Sequence, residues 1–284
     1  MQEDCAHHPL ARALLAEGVT RLDRERLWNE VMQENLEFKC RDILVSSEVF
    51  QSVRNPKLFV SHIPTNGVLF ITYVRNPVDY FISTYQQHVY ATAMTATPEA
   101  RALHYAFRLF PFMKRLRSDL QEQVVFREFE RNKLKDGDIV SDFFSAIGSL
   151  EVNFRGESQN PSISGNLLLF KLALNTTLRG RTSRETLDVL DRVAFENERF
   201  SRRLRVSQDL FSFLSDLFED DIRLIRRDFL PEFFAPAGPS GHGFDFATLS
   251  NDFHSISESF ISSSIEVPSV DQLLDVVDSL GVHA

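Results

Sequence analysis

Apolar positions along this 284-residue chain fall into two regimes, short unbroken runs in the first half and three- and four-residue spacing in the second. The clearest run is GVLFITYV, residues 67–74, apolar almost throughout and rich in β-branched and aromatic side chains. It predicts a strand covered on both faces, as in a parallel α/β sheet. Two further strands are expected, Ile43 to Val45 within RDILVSSEVF and residues 123–129, QVVFREF.

Helices are expected between them. Residues 9–17 read as a short helix with Pro9 in its first turn, and a second runs from about Asp23 to Asn35. After the central strand, Asn76 is placed to cap a helix that has Pro77 at its first position and Asp79 completing a box-like pair. A long helical stretch from Thr97 to about Leu120 should bend near Pro111. DGDIVSDFFSAIG then reads as a helix with Gly148 just past its end.

From Asn166 onward the spacing is helical: NLLLFKLALN, RETLDVLDRVAFENERFSRRLR, QDLFSFLSDLF and DIRLIRRDFL. PAGPSGHGFDF and the serine-rich sequence to about residue 264 suggest a loosely held linker, followed by one amphipathic helix in SVDQLLDVVDSLGV. The expected organisation is an α/β domain over residues 1–235 with a largely helical C-terminal half, and an appended segment over 236–284. Strands alternating with helices imply right-handed crossovers and a parallel sheet. Ligands bind such sheets beyond the carboxyl ends of the strands, where Glu48, Arg75 and Arg127 fall.

Composition narrows the partners. A formal net charge of −9 argues against nonspecific nucleic-acid binding, so an anionic ligand needs a local basic pocket. Cys5 and Cys40 make neither a disulfide framework nor a zinc spacing, which fits reduced thiols in a cytoplasmic protein. No apolar run reaches about 18 residues, so no membrane span is expected. The start, MQEDCAHHPLA, has no signal-peptide pattern. The 26 phenylalanines against one tryptophan point to an aromatic core.

The strongest candidate chemistry lies at ITYVRNPVDYFISTY, residues 71–85. Arg75 at a strand end, beside a helix N-terminus, combines charge, a planar donor fork and backbone N–H groups, with the Ser83 hydroxyl on the helix that follows. A surface arginine beside an ordinary turn accounts for the same letters. YVRNPVDYFISTY also resembles the second cofactor motif of sulfotransferases, a strand ending in Arg followed by a helix with Ser eight positions on. AHHPLARAL, ILVSSEVF, VVFREFERNKLKDGDIVSDFFSAIG and ESQNPSISGNLLLFKLALN are similar, in order, to blocks of a bacterial sulfotransferase-like group over roughly residues 6–180. The resemblance implies a P-loop-like α/β fold. It also implies that Arg75 and Ser83 hold the 3′-phosphate of 3′-phosphoadenosine 5′-phosphosulfate (PAPS), with Arg127 lining the same pocket.

One departure matters. Sulfotransferases open with a strand and a Lys-x-Gly-Thr-Thr loop that cradles the 5′-phosphosulfate. The sequence contains no such loop; its one glycine cluster, Gly238 to Gly243, follows no strand and lacks lysine. Two expectations stay open: a sequence that starts inside the domain, which is preferred, or a protein that lacks the loop.

Sulfuryl transfer needs a base for the acceptor hydroxyl and positive charge for the leaving bisphosphate. Glu48, after the Ser46–Ser47 strand end, is the first candidate base, and His7 and His8 the second. Each has an ordinary reading, a capping carboxylate and terminal histidines. No third ligand with metal spacing accompanies the histidine pair, so no metal is expected. Asn160 and Ser162 are candidate loop contacts to cofactor or acceptor, and turn chemistry explains them equally. Arg131 is a further candidate for the pocket wall beside Arg127, with a solvated turn as its ordinary reading, and RFSRRLR, residues 199–205, reads as a solvated helix face. The resulting expectation is a PAPS-dependent transferase acting on the hydroxyl of a small molecule or glycan once the loop is supplied. The alternative is a non-catalytic relative that keeps an anion pocket or an interaction surface.

Overall fold

The computed structural model describes residues 20–38, 43–46, 55, 57, 68–148, 162–178, 183–233, 235–236 and 238–282. The expected helix over 9–17 and the candidates His7, His8, Glu48 and Asn160 lie outside these residues, as do Cys5 and Cys40. The fold is mixed α/β and mostly helical, with a two-stranded parallel sheet. Its strands are β1 (Phe70–Val74) and β2 (Val124–Glu128). The described helices in chain order are α1 (Arg21–Phe38), α2 (Pro77–Ala91), α3 (Pro98–Leu103), α4 (Leu109–Leu120) and α5 (Ile139–Ala146). They continue with α6 (Gly165–Thr177), α7 (Arg184–Glu196), α8 (Gln208–Asp228), α9 (Leu249–Ser262) and α10 (Val270–Ser279).

The chain divides into two compact units, residues 1–72 with 111–127, and residues 73–110 with 128–284. In the first, Trp28 of α1, Met113 and Leu116 of α4, and Val124 and Phe126 of β2 are buried. The Arg117 guanidinium lies 5.7 Å from the Phe126 ring centroid.

The second unit is built around α6. Every residue from Gly165 to Asn175 is buried, because α2, α9 and α10 all pack on this helix. A helix that is apolar over most of its circumference belongs in a core, and NLLLFKLALN is one, with Asn166, Lys171 and Asn175 as its buried polar positions. Phe170 meets Phe253 and Phe260 of α9, with ring centroids 5.2 and 5.6 Å apart. Asp221 of α8 caps α4 by accepting from the Leu109 and Phe110 N–H groups at 2.7 and 3.1 Å.

Several expectations are corrected. Ile43 to Val45 form no strand: Ile43 and Leu44 are 41% and 53% exposed, and a three-residue apolar run has too few ladder bonds to persist without a neighbour. β1 is half-buried except at Val74, so it is not covered throughout on both faces. The stretch from Thr97 to Leu120 breaks at residues 104–108, leaving Pro111 in the first turn of α4, where its missing N–H costs nothing. QDLFSFLSDLF and DIRLIRRDFL are one continuous helix, α8. The serine-rich stretch holds α9 rather than a linker, since Phe253, Ile256 and Phe260 form a buried stripe that outweighs the modest helix propensity of serine. Residues 201–205 are not helical; Leu204 forms a parallel bridge with His242.

Candidate functional site at the end of the first strand

β1 ends at Val74, whose carbonyl accepts from the Phe129 N–H at 2.8 Å, so the exit of one strand is tied to the exit of the other. The chain turns at once into α2. Asn76, fully buried, caps the helix: its Oδ1 accepts from the Val78 N–H at 3.0 Å and its carbonyl from the Tyr80 N–H at 2.8 Å. Pro77 takes the first helical position, as its fixed φ favours. Asp79 does not complete a capping box. Its carboxylate instead accepts from the guanidinium of Arg203, 124 positions further along the chain.

Arg75 stands between these features. Its guanidinium carbon lies over the Phe129 ring, 4.7 Å from the centroid, a cation–π contact. Burial pulls its pKa below the usual arginine value, opposed by the charge of Asp79; Arg203 lowers it and Glu130 raises it to a smaller extent. Arginine titrates so high that Arg75 stays charged. Its guanidinium makes no hydrogen bond or ion pair with another described residue, so its N–H donors remain open to a ligand.

Ser83 is half-buried on α2. It lies one turn beyond Asp79 on the same helix face, since side chains four apart stack along a helix. Arg75 is close enough to Asp79 and Arg203 for both charges to act on its guanidinium. Part of the expected supply of backbone N–H groups at this helix start is already used. Pro77 has none, and Asn76 already takes those of Val78 and Tyr80.

The remaining described candidates are placed as follows. Arg127 shares the outward-alternating positions of β2 with exposed Val125, opposite buried Val124 and Phe126. Ser162 is exposed three residues before the start of α6, and Arg131 is exposed on a turn. Two participants were missed in the sequence. Asp79 was assigned to capping, and Arg203 lies in the run taken for a solvated helix face. Only the basic run itself signalled Arg203, and its partner could not be identified without the fold.

Among the described residues no group of three or more His, Cys, Asp or Glu is placed to hold a metal ion, and no helix is long and apolar enough to cross a membrane. No family model matches this chain, no curated protein matches it, and no solved structure matches it.

Proposed function

We propose that this chain is a sulfotransferase-like protein whose β1–α2 junction takes the 3′-phosphate of an adenosine 3′,5′-bisphosphate moiety. The observation that carries this reading is the Arg75 guanidinium, held 4.7 Å from the Phe129 ring centroid at the exit of a parallel strand and without a hydrogen bond or ion pair to another described residue. Two of its N–H groups match the spacing of two phosphate oxygens, and the Ser83 hydroxyl supplies a third donor. Arg75 and Arg203 set against Asp79 and Glu130 leave the region formally neutral, so affinity rests on geometry more than on net field.

With a Lys-x-Gly-Thr-Thr loop in place, the reaction is sulfuryl transfer from PAPS to an acceptor hydroxyl, with carbohydrate among the candidate acceptors. The hydroxyl oxygen attacks sulfur in line, and the bond from sulfur to the bridging phosphate oxygen breaks. Adenosine 3′,5′-bisphosphate leaves with that electron pair. The hydroxyl proton goes to a base, Glu48 in the first assignment and His7 or His8 in the second. Positioning and charge stabilisation carry most of such a reaction.

A second reading stands beside it as the alternative. It is a non-catalytic relative that binds the bisphosphate without turnover. Calorimetric titration with adenosine 3′,5′-bisphosphate tests the shared claim. Wild type should bind, and Arg75→Ala should weaken binding at least about tenfold, as loss of a charge-assisted contact does. A folded wild type that does not bind overturns both readings.

A further inference from the structure

Resting on the phosphate reading of the β1–α2 junction, we propose that the Glu130 carboxylate accepts a hydrogen bond from the ribose 2′-hydroxyl of the nucleotide whose 3′-phosphate meets Arg75. The site then selects ribonucleoside 3′-phosphates over their 2′-deoxy counterparts.

Main-chain bonds put Glu130 at the strand exit. The Phe129 N–H donates to the Val74 carbonyl at 2.8 Å, and the Phe129 ring lies under the Arg75 guanidinium. Glu130 comes next in the chain, close enough for its charge to act on Arg75. Its carbonyl accepts from the Lys133 and Leu134 N–H groups at 2.8 and 3.1 Å, which fixes the turn that leaves β2. None of these backbone bonds uses the Glu130 side chain.

Neighbouring carboxylates are committed. Glu128 meets the Lys133 ammonium at 3.0 Å, and Asp79 accepts from Arg203. Asp142 accepts from the Tyr73 hydroxyl at 2.8 Å and from the Lys135 N–H at 3.0 Å. Glu130 differs: it is half-buried, and its carboxylate makes no hydrogen bond or ion pair with another described residue. Arg75 is half-buried in the same way. The two charges act on each other without pairing, so one group keeps acceptors and the other keeps donors for a third partner. A carboxylate that has lost part of its water without gaining a hydrogen bond is costly, and a ligand hydroxyl relieves that cost.

A ribose 3′-phosphate offers the complementary pair, an anion and, on the adjacent carbon, a hydroxyl that can donate. An ionised carboxylate only accepts, so it distinguishes a hydroxyl from a hydrogen at that carbon. Carboxylates read ribose hydroxyls in dinucleotide-binding folds, and the 2′-hydroxyl is the group that separates ribose from deoxyribose. The same negative charge repels the phosphate. A ribonucleotide offsets that repulsion with its hydrogen bond, whereas a deoxy ligand meets the repulsion alone. Both effects push selectivity in one direction.

The test is calorimetric titration of the full chain with adenosine 3′,5′-bisphosphate and with 2′-deoxyadenosine 3′,5′-bisphosphate. Wild type should prefer the ribonucleotide at least about tenfold, as a hydrogen bond to a charged acceptor supports. Glu130→Ala should bind the two alike, and should hold the deoxy ligand more tightly than wild type does because the repulsion is gone. Glu130→Gln, close in shape and uncharged, should keep a smaller preference than wild type, and it carries the test if Glu130→Ala does not fold. Arg75→Ala should weaken both ligands. If wild type binds the two equally, or prefers the deoxy ligand, while Arg75→Ala loses both, the Glu130 assignment is overturned and the phosphate reading stands. A preference undiminished in the Glu130 variants places the hydroxyl elsewhere and also overturns the assignment. A folded wild type that binds neither ligand overturns the phosphate reading, and the Glu130 assignment with it.

Discussion

The Arg203 guanidinium donates to the Asp79 carboxylate, joining the 199–205 segment to the first turn of α2. Arg203 Nη1 also donates to the Gly238 carbonyl at 3.3 Å, so one side chain ties the glycine loop to the strand end where Arg75 stands. Both partners are largely buried, at 24% and 10% side-chain exposure, which separates this pair from a screened surface contact. Asp79→Asn should therefore destabilise the protein by about 2 kcal/mol, between the values for exposed and buried pairs. The same change removes a negative charge beside Arg75, so binding of adenosine 3′,5′-bisphosphate should tighten by roughly threefold. Urea unfolding and calorimetry on one sample check both signs; tightening without destabilisation would show that the pair is not structural.

The glycine loop offers an internal comparison. Gly241→Ala forces a Cβ onto the Arg203 carbonyl and strains a φ of +121°, and should cost about 3 kcal/mol or more. A Cβ on Gly238 meets nothing within 4 Å, so Gly238→Ala should cost only about 1 kcal/mol. Thermal unfolding of the two variants separates them; equal losses would mean that the loop does not dock on the arginine segment.

Lys171 is fully buried in α6 and donates to Asn175 Oδ1, while Asn175 donates to the Val89 and Met94 carbonyls at 3.0 and 2.9 Å. Burial lowers the Lys171 pKa to about 8. Between pH 8 and the unfolded value near 10.4, the unfolded chain holds a proton that the folded chain has released, so stability from this group rises with pH. Relative to Lys171→Met, wild type should gain roughly 2 kcal/mol between pH 7 and pH 10. The comparison with the variant cancels tyrosine ionisation, and a flat difference across that range would contradict the assignment.

What could be read from the sequence was local. FITYV as a strand, Asn76 with Pro77 as a helix start, Gly148 past α5, and the buried run of α6 each follow from a few adjacent residues. Arg75 was found in the same way, because a strand end and a cap define its position. What could not be read depended on distant partners. Nothing near Arg203 announces Asp79, and nothing near Ser164 shows that its hydroxyl serves Arg202 rather than α6. α9 was legible in part, since Phe253, Ile256 and Phe260 recur at helical spacing, but its serines drew attention to composition over period. Ile43 to Val45 failed in the opposite direction: a strand needs a neighbour, and three apolar residues do not specify one.

The central claim is that Arg75 holds a 3′-phosphate, and a two-ligand, two-protein cycle tests it most directly. Wild type and Arg75→Ala are each titrated calorimetrically with adenosine 3′,5′-bisphosphate and with adenosine 5′-monophosphate, which lacks the 3′-phosphate. The account predicts that wild type prefers the bisphosphate by at least about tenfold and that Arg75→Ala binds both ligands alike, since removing either partner removes the same contact. A preference for the bisphosphate that survives in Arg75→Ala would place the 3′-phosphate elsewhere and contradict the account.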